Sequence, residues 1–328
     1  MTQRRVHGGD RDVAARLAGC EPSEILDFSA NINPLGAPPG VIEAATAALS
    51  EVGHYPHPRA EPLRGRLSAA RGCDVVVGNG ATELIYAALI GTRHVWAPSP
   101  SYLGYAEAAA AAGAHMVAHM HEADALLFGR PNNPDGAMPD VDELIAIAEA
   151  WPGCRVVVDE SFLGFTEAPS CLERALPENL WVVTSMTKTY AIPGLRLGWI
   201  GGRDVSAIDA YLPPWTVSAP ALAAGLVCIE AKQWLRQASA QIATWRADLQ
   251  AGLSSLPGVS DVRGGANFLL VTLAEPRAAA LREALIVGAR VLIRDASNFA
   301  GLDGRHVRVA VRRPEENARL LAALRATV

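Results

Sequence analysis

The stretch TSMTKTYAIPGLRLG (184–198) decides how the rest of the chain is read. It follows the apolar run WVV (181–183), which has the composition of a buried strand. Lys188 lies inside it, with Ser185 and Thr187 just before and Arg196 further on. Two hydroxyls and a guanidinium can hold a phosphate while a lysine amine stays free to react. Lysine is also scarce. Of 29 basic residues only Lys188 and Lys232 are lysines. Arginine stays protonated and cannot act as an amine nucleophile, so lysine chemistry has two candidates. Lys232 sits in the polar helical stretch EAKQW (230–234) and reads as a solvated or snorkelling residue.

Working outward, short apolar runs alternate with helical patterns from about Val41 to Trp199. Strands are expected at Asp74–Val77, His94–Ala97, Ala125–Phe128, Arg155–Val158, Trp181–Thr184 and Arg196–Ile200. Helices are expected at Val41–Val52, Pro62–Arg71, Thr82–Gly91, Tyr105–Gly113 and Val141–Ala150. This alternation points to an α/β fold, a mostly parallel sheet flanked by helices. Such sheets bind ligands beyond the carboxyl ends of their strands. The residues there are Gly78–Glu83, Pro98–Tyr102, Arg130–Gly136, Asp159-Glu160 and Ser185–Lys188. Gly80-Ala81-Thr82 opens a helix whose first amides favour an anion. Asp159 ends the run RVVVDE (155–160), where a carboxylate can pair with a protonated ring nitrogen. An amine, a phosphate cup and an acidic partner for a pyridinium together describe a pyridoxal phosphate site.

The flanks differ in character. Residues 1–40 read as an irregular arm that joins a small domain and the substrate site, residues 41–218 as the large domain, and 219–328 as a small α+β domain. In the last, a helical stretch is expected over Ala219–Leu256, strands over GGANFLLVTL (264–273), Val291–Arg294 and a half-exposed HVRVAV (306–311), and helices over Arg277–Val287 and Glu315–Ala326.

Composition excludes several classes of function. Half of the 328 residues are hydrophobic, 19% are charged and the net charge is −5. That suits a globular chain and offers no basic face for nucleic acid. No apolar run is long enough to span a membrane, and MTQRRVHGGDRD lacks the apolar core of a signal peptide. The five scattered cysteines suggest reduced thiols in the cytoplasm. His115, His119 and His121 alternate in HMVAHMH (115–121) as if on one strand face, but no carboxylate or cysteine has ligand spacing, so no metal is expected. Glu83 and Glu160 read as structural, and Asn267 as a residue holding a backbone turn.

The lysine stretch resembles that of fold type I pyridoxal-phosphate enzymes of the aminotransferase branch. RPNNPDG (130–136), VVVDESFLGF (156–165), PSYLGY (100–105) and HVRVAV resemble further segments of that family, in family order. The resemblance implies that Lys188 carries the cofactor as a Schiff base and that Asp159 pairs with the ring nitrogen. It implies that Asn133 bonds the ring hydroxyl and that Tyr102 stacks on the ring. Gly80, Ala81, Thr82, Ser185, Thr187 and Arg196 would hold the cofactor phosphate. Tyr55, in HYPHP (54–58), would reach a partner subunit's phosphate, which implies a homodimer with shared active sites. Arg308 would bind a substrate carboxylate. HGGD (7–10), DFSANINPLG (27–36), GNGATELIY (78–86) and the run from Arg294 to Asn317 are similar to threonine-phosphate decarboxylases of cobalamin biosynthesis. Phe162 supports that likeness, because many aminotransferases of the branch carry a tyrosine there. The likeness implies a phosphorylated amino acid as substrate, bound by His7, Gly8, Asn31, Arg294 and Arg308. The alternative is an aminotransferase acting on histidinol phosphate or an aromatic amino acid. Arg130 and Asp135 depart from the family's usual asparagine and threonine, which predicts effects on the loop without loss of cofactor.

Overall fold

Why the central strands are buried on both sides follows from their own residues. Val156, Val158 and Val182 point to one face with Leu126 and Phe128. Val157, Val183, Leu127 and Ile200 point to the other. Both sets are apolar, so each face needs a cover, and fully burying one such side chain contributes about 1.5–3 kcal/mol. The structure, a computed structural model, describes residues 8–327. Its strands are β1 (Leu26–Asp27), β2 (Asp74–Gly78), β3 (His94–Trp96), β4 (His115–Met116), β5 (Ala125–Gly129), β6 (Arg155–Asp159), β7 (Leu180–Ser185), β8 (Gly198–Gly202), β9 (Val259–Gly265), β10 (Phe268–Leu273), β11 (Val291–Leu292), β12 (Arg294–Asp295) and β13 (His306–Ala310).

The chain forms two compact units. The larger comprises Leu35–Asn133 and Ala137–Ala240. Its seven-stranded sheet has the order β2-β8-β7-β6-β5-β3-β4. All neighbours are parallel except β8, which is antiparallel to both β2 and β7. The ends of β2, β3, β5, β6 and β7 therefore share one edge. Helices Ala81–Ala88, Leu103–Ala111 and Ser206–Tyr211 cover one face through Leu84, Ile85, Tyr105, Ala108 and Ile208. Helix Val141–Ala150, capped by Asp140 as its sequence suggests, covers the other with Leu144 and Ala148.

Among the described residues the smaller unit takes 8–34, Pro134–Gly136 and 241–327. It holds an antiparallel sheet of order β12-β13-β10-β9 and a parallel pair, β1 with β11. The division at residues 240 and 241 falls inside the helix Lys232–Ser254.

Several expectations are corrected. The arm is not wholly irregular: Arg11–Ala18 is a helix, capped by Asp10 and closed by Gly19 in the left-handed region. The neighbouring glycine- and proline-rich run obscures those two helix signals. GGANFLLVTL is no single strand. It belongs to a hairpin in which Ala266, at φ 53, separates β9 from β10. Val291–Arg294 splits between two sheets, since β11 pairs with β1 and β12 with β13. HVRVAV is buried beyond His306, because β13 lies between β12 and β10. β8 begins at Gly198, because Arg196 takes the left-handed region at φ 56 and cannot continue a strand. In HMVAHMH only His115 and Met116 join the sheet, and His119 caps a 3-10 turn instead. Among the described residues no group of three or more His, Cys, Asp or Glu is arranged to hold a metal.

Candidate active site

The larger unit gathers the expected cofactor residues at its carboxyl edge through strand register. Ser185 at the end of β7 lies opposite Gly198, and Gly198 lies opposite Gly78 at the end of β2. Gly198 has no room for a side chain: a Cβ there would meet the Ala81 nitrogen at 2.6 Å and the Thr184 carbonyl oxygen at 2.9 Å. This close approach brings the Gly80–Thr82 helix start beside the Ser185–Lys188 turn. Gly80 is required twice over. Its φ is 83, and a Cβ there would fall 2.8 Å from Arg196 Nη2. The Arg196 guanidinium thus lies against Gly80, at the start of helix Ala81–Ala88. The Ser185 and Thr187 hydroxyls are buried 2.6 Å apart. Free helix amides, two hydroxyls and one guanidinium form a cradle for a phosphate.

Lys188 projects from the short helix Met186–Thr189, capped by Ser185. Its charge acts on Asp159, which ends the adjacent strand β6. Burial pushes the Asp159 carboxyl above its ordinary value. Hydrogen bonds from Ser161 and Tyr105, and the Lys188 charge, pull the other way. The Tyr105 hydroxyl donates to Asp159 Oδ2 at 3.0 Å, and the Ser161 amide to Oδ1 at 2.9 Å. A carboxylate oriented by Tyr105 and Ser161 is placed to pair with a protonated ring nitrogen.

Tyr102 heads the helix Leu103–Ala111, and its ring folds over Gly104, where a Cβ would meet it at 2.3 Å. Its hydroxyl bonds Thr82, and its ring meets Tyr105 edge-on with centroids 5.5 Å apart. Tyr102 therefore links the phosphate cradle to the Asp159 side. Asn133 follows β5 in the same edge, with Asn132 fixing its loop by donating to Pro100 O at 2.8 Å and to Ala137 O through its amide. These residues fit pyridoxal phosphate: a phosphate cradle, a lysine amine, a ring-nitrogen carboxylate and an aromatic lid sit within one unit. Tyr55 stands apart from them. It is 81% exposed and packs at a tilt against Trp215, with centroids 4.9 Å apart.

The smaller unit gathers a second cluster. Arg294 and Arg308 are register partners across β12 and β13, and both are buried. Directly opposed like charges destabilise a strand pair. Arg294 donates to Asp295 O at 2.6 Å and Asn298 Oδ1 at 2.7 Å, and lies over the Phe299 ring. Burial pulls its pKa below the ordinary arginine value. Arg308 donates to Ser29 O at 2.7 Å and lies over Phe268. Gly8 packs on the same Ser29, where a Cβ would clash with the carbonyl oxygen, and the Gly9 amide donates to Ser29 Oγ at 2.7 Å. Asn31, two residues on, is buried with neither amide atom hydrogen-bonded among the described residues. The buried amide of Asn267 is in the same state, which a turn-holding side chain would not be. His7 lies outside the described residues.

Sequence reading overlooked Tyr105. The signal was present in PSYLGY, where a second tyrosine follows Tyr102 at helical spacing onto the buried face. It also passed over Ser161, two residues beyond Asp159, which bonds that carboxylate through both its backbone amide and its side chain.

The family model for aminotransferase class I and II matches residues 23–324. Threonine-phosphate decarboxylase of Salmonella typhimurium is 34% identical over 97% of this chain and 95% of its own length. Among solved structures, L-threonine-O-3-phosphate decarboxylase from Porphyromonas gingivalis superposes with a TM-score of 0.81 at 29% identity, covering 91% of this chain and 98% of that one. Histidinol-phosphate aminotransferase from Clostridium acetobutylicum superposes with a TM-score of 0.86 at 26% identity, covering 92% and 98%. With the fold, the edge-of-sheet lysine site and these matches agreeing over nearly the whole chain, the protein belongs to the aminotransferase class I and II family.

Proposed function

We propose that this enzyme uses pyridoxal phosphate to decarboxylate O-phospho-L-threonine to (R)-1-amino-2-propanol O-2-phosphate, the aminopropanol linker of cobalamin biosynthesis. The observation that carries the reading is the pair of buried, register-matched arginines, Arg294 and Arg308. A substrate bearing both a carboxylate and a phosphate would neutralise two such cations. The 34% identity to a threonine-phosphate decarboxylase over 97% of the chain supports the same substrate class.

When bound, pyridoxal phosphate supplies an aldehyde that captures the substrate amine and a ring that accepts the electron pair left by departing CO₂. The chain's residues do the rest. Gly80, Ala81, Thr82, Ser185, Thr187 and Arg196 bind the cofactor phosphate, and Tyr102 covers the ring. Asp159, oriented by Tyr105 and Ser161, keeps the ring nitrogen protonated. Asn133 donates to the ring oxygen, a duty Phe162 cannot share. Arg308 takes the substrate carboxylate. Arg294 takes the substrate phosphate, with His7, Gly8 and Asn31 assigned to the same substrate. Lys188, its amine freed when substrate binds, returns a proton to Cα.

The exposed Tyr55–Trp215 pair supports a homodimer in which Tyr55 reaches the partner's phosphate site. Among the described residues no helix is long and apolar enough to cross a membrane. All five cysteines are free thiols, which supports a reducing cytoplasmic setting.

The test mixes the loaded enzyme with O-phospho-L-threonine and follows CO₂ together with the cofactor's absorption. Repeated CO₂ release with the original spectrum restored is expected. Stoichiometric conversion to pyridoxamine phosphate without CO₂ would overturn the reading in favour of transamination.

A further inference from the structure

One buried ion pair of the larger unit lies outside every role assigned above. Arg130 and Glu160 approach to 3.4 Å with side chains only 4% and 3% exposed. Their positions in the chain are informative. Arg130 opens the loop that carries Asn133, and Glu160 directly follows Asp159. The backbones are joined as well, since the Arg130 amide donates to Asp159 O at 2.8 Å.

The guanidinium does more than face a carboxylate. Its Nε donates to Pro139 O at 2.9 Å, which ties the beginning of the loop to its far end. Its Nη1 donates to Pro169 O at 2.7 Å. Glu160 is equally engaged. Its Oε2 accepts from the Ser170 hydroxyl at 2.5 Å, and its Oε1 accepts from the Cys171 amide at 2.8 Å. Burial raises the Glu160 carboxyl above its ordinary value, against the pull of Ser170, Cys171 and Arg130. A buried pair of this kind contributes little net stability, because desolvation offsets its attraction. A buried network of fixed-geometry donors does restrict where its segments can lie.

We propose that Arg130 and Glu160 are positioning residues that set the separation of Asn133 from Asp159 and so match the loop and the strand end to the cofactor ring. The inference rests on the assignment of Asn133 to the ring oxygen and Asp159 to the ring nitrogen. Those two atoms are held apart by a rigid aromatic ring, so a loop displaced by about 1 Å loses one contact or the other, and displacement of that order can reduce rates about 100-fold.

The experiment titrates the apoproteins of Arg130→Met, Glu160→Gln, the double variant, Asn133→Ala and Asp159→Asn with pyridoxal phosphate and, separately, with inorganic phosphate. Tryptophan fluorescence reports binding, and melting temperature reports stability. Arg130→Met and Glu160→Gln are expected to bind pyridoxal phosphate about 10-fold or more weakly, with phosphate affinity within about 2-fold of the parent. The double variant carries no unpaired buried charge. Its melting temperature should recover toward the parent while cofactor affinity stays low. Parallel loss of both affinities with the melting temperature, or recovery of cofactor affinity together with stability in the double variant, would reduce the pair to scaffold and overturn the inference. So would unchanged pyridoxal phosphate affinity in the Arg130 and Glu160 variants where Asn133→Ala weakens it. If Asn133→Ala and Asp159→Asn themselves left that affinity unchanged, the ring assignment beneath the inference would fall first.

Discussion

The two units reach their functional side chains by opposite routes. In the larger one, the residues of the cofactor cluster other than Arg196 stand where a strand has ended: Gly80–Thr82 after β2, Tyr102 after β3, Asn133 after β5, Asp159 at the end of β6, and Ser185–Lys188 at the end of β7, while Arg196 precedes β8. Parallel strands deliver their carboxyl ends to one edge, so a site can be assembled from short loops without disturbing the core. In the smaller one, Arg294 and Arg308 lie within antiparallel strands and are brought together by register. The first arrangement leaves glycines, prolines and polar residues at punctuated positions. The second leaves two arginines among many.

This contrast predicts that damage in the larger unit is read as cofactor loss and damage in the smaller one as substrate loss. The largest effect belongs to Lys188→Ala. It should abolish the lysine-dependent absorption band and lower turnover by about 10⁴-fold, the scale of removing a group that does both covalent and proton-transfer work. A persisting band would show that another amine holds the cofactor.

Asp159→Asn comes next, with kcat reduced by about 10²–10³-fold, comparable to removing one preorganised electrostatic group. It also carries a pH signature. The folded Asp159 carboxyl titrates above its unfolded value of 3.8. The fold therefore favours the protonated form, and apoprotein stability falls as pH rises from the unfolded value through the raised folded one. The asparagine variant lacks that loss. Its apoprotein should melt higher than the parent above this window and equally below it, while its loaded form is weaker. Calorimetry of both forms across pH checks the sign.

Arg308→Met and Arg294→Gln should raise KM for O-phospho-L-threonine about 10–100-fold, the equivalent of one charged hydrogen-bonding group. Pyridoxal phosphate affinity should not move. A shift in cofactor affinity from either variant would break the division of labour between the units. The smallest effect is expected from Gly80→Ala. A left-handed φ of 83 and the crowding against Arg196 should weaken cofactor binding about 10-fold, with KM unaffected in the fully loaded enzyme.

The same contrast explains what the sequence could convey. The scarcity of lysine, the punctuated strand ends and the paired faces of Val156–Val158 exposed the larger unit's sheet and most of its site. Tyr105 escaped because a fully buried aromatic on a helix reads as core, and only its 3.0 Å bond to Asp159 shows a second duty. Arg130 looked like a mere departure in its loop because its partners, Pro139, Glu160 and Pro169, are set by tertiary packing. In the smaller unit the errors concern register. The β9–β10 hairpin turns on a left-handed alanine, Ala266, while the two glycines beside it, Gly264 and Gly265, belong to strand β9. A single residue, Ile293, separates two strands that join different sheets. The facing of Arg294 and Arg308 depends on that pairing, so composition alone could not single them out.

The central claim is that the substrate loses its carboxylate and gains a proton at Cα. Turnover of O-phospho-L-threonine in deuterium oxide, with the product read by mass spectrometry, tests it most directly. Aminopropanol phosphate carrying one carbon-bound deuterium at the former Cα is expected, with CO₂ released in equal amount. A 2-oxo acid that keeps its carboxylate, formed as the cofactor turns to pyridoxamine phosphate, would contradict it.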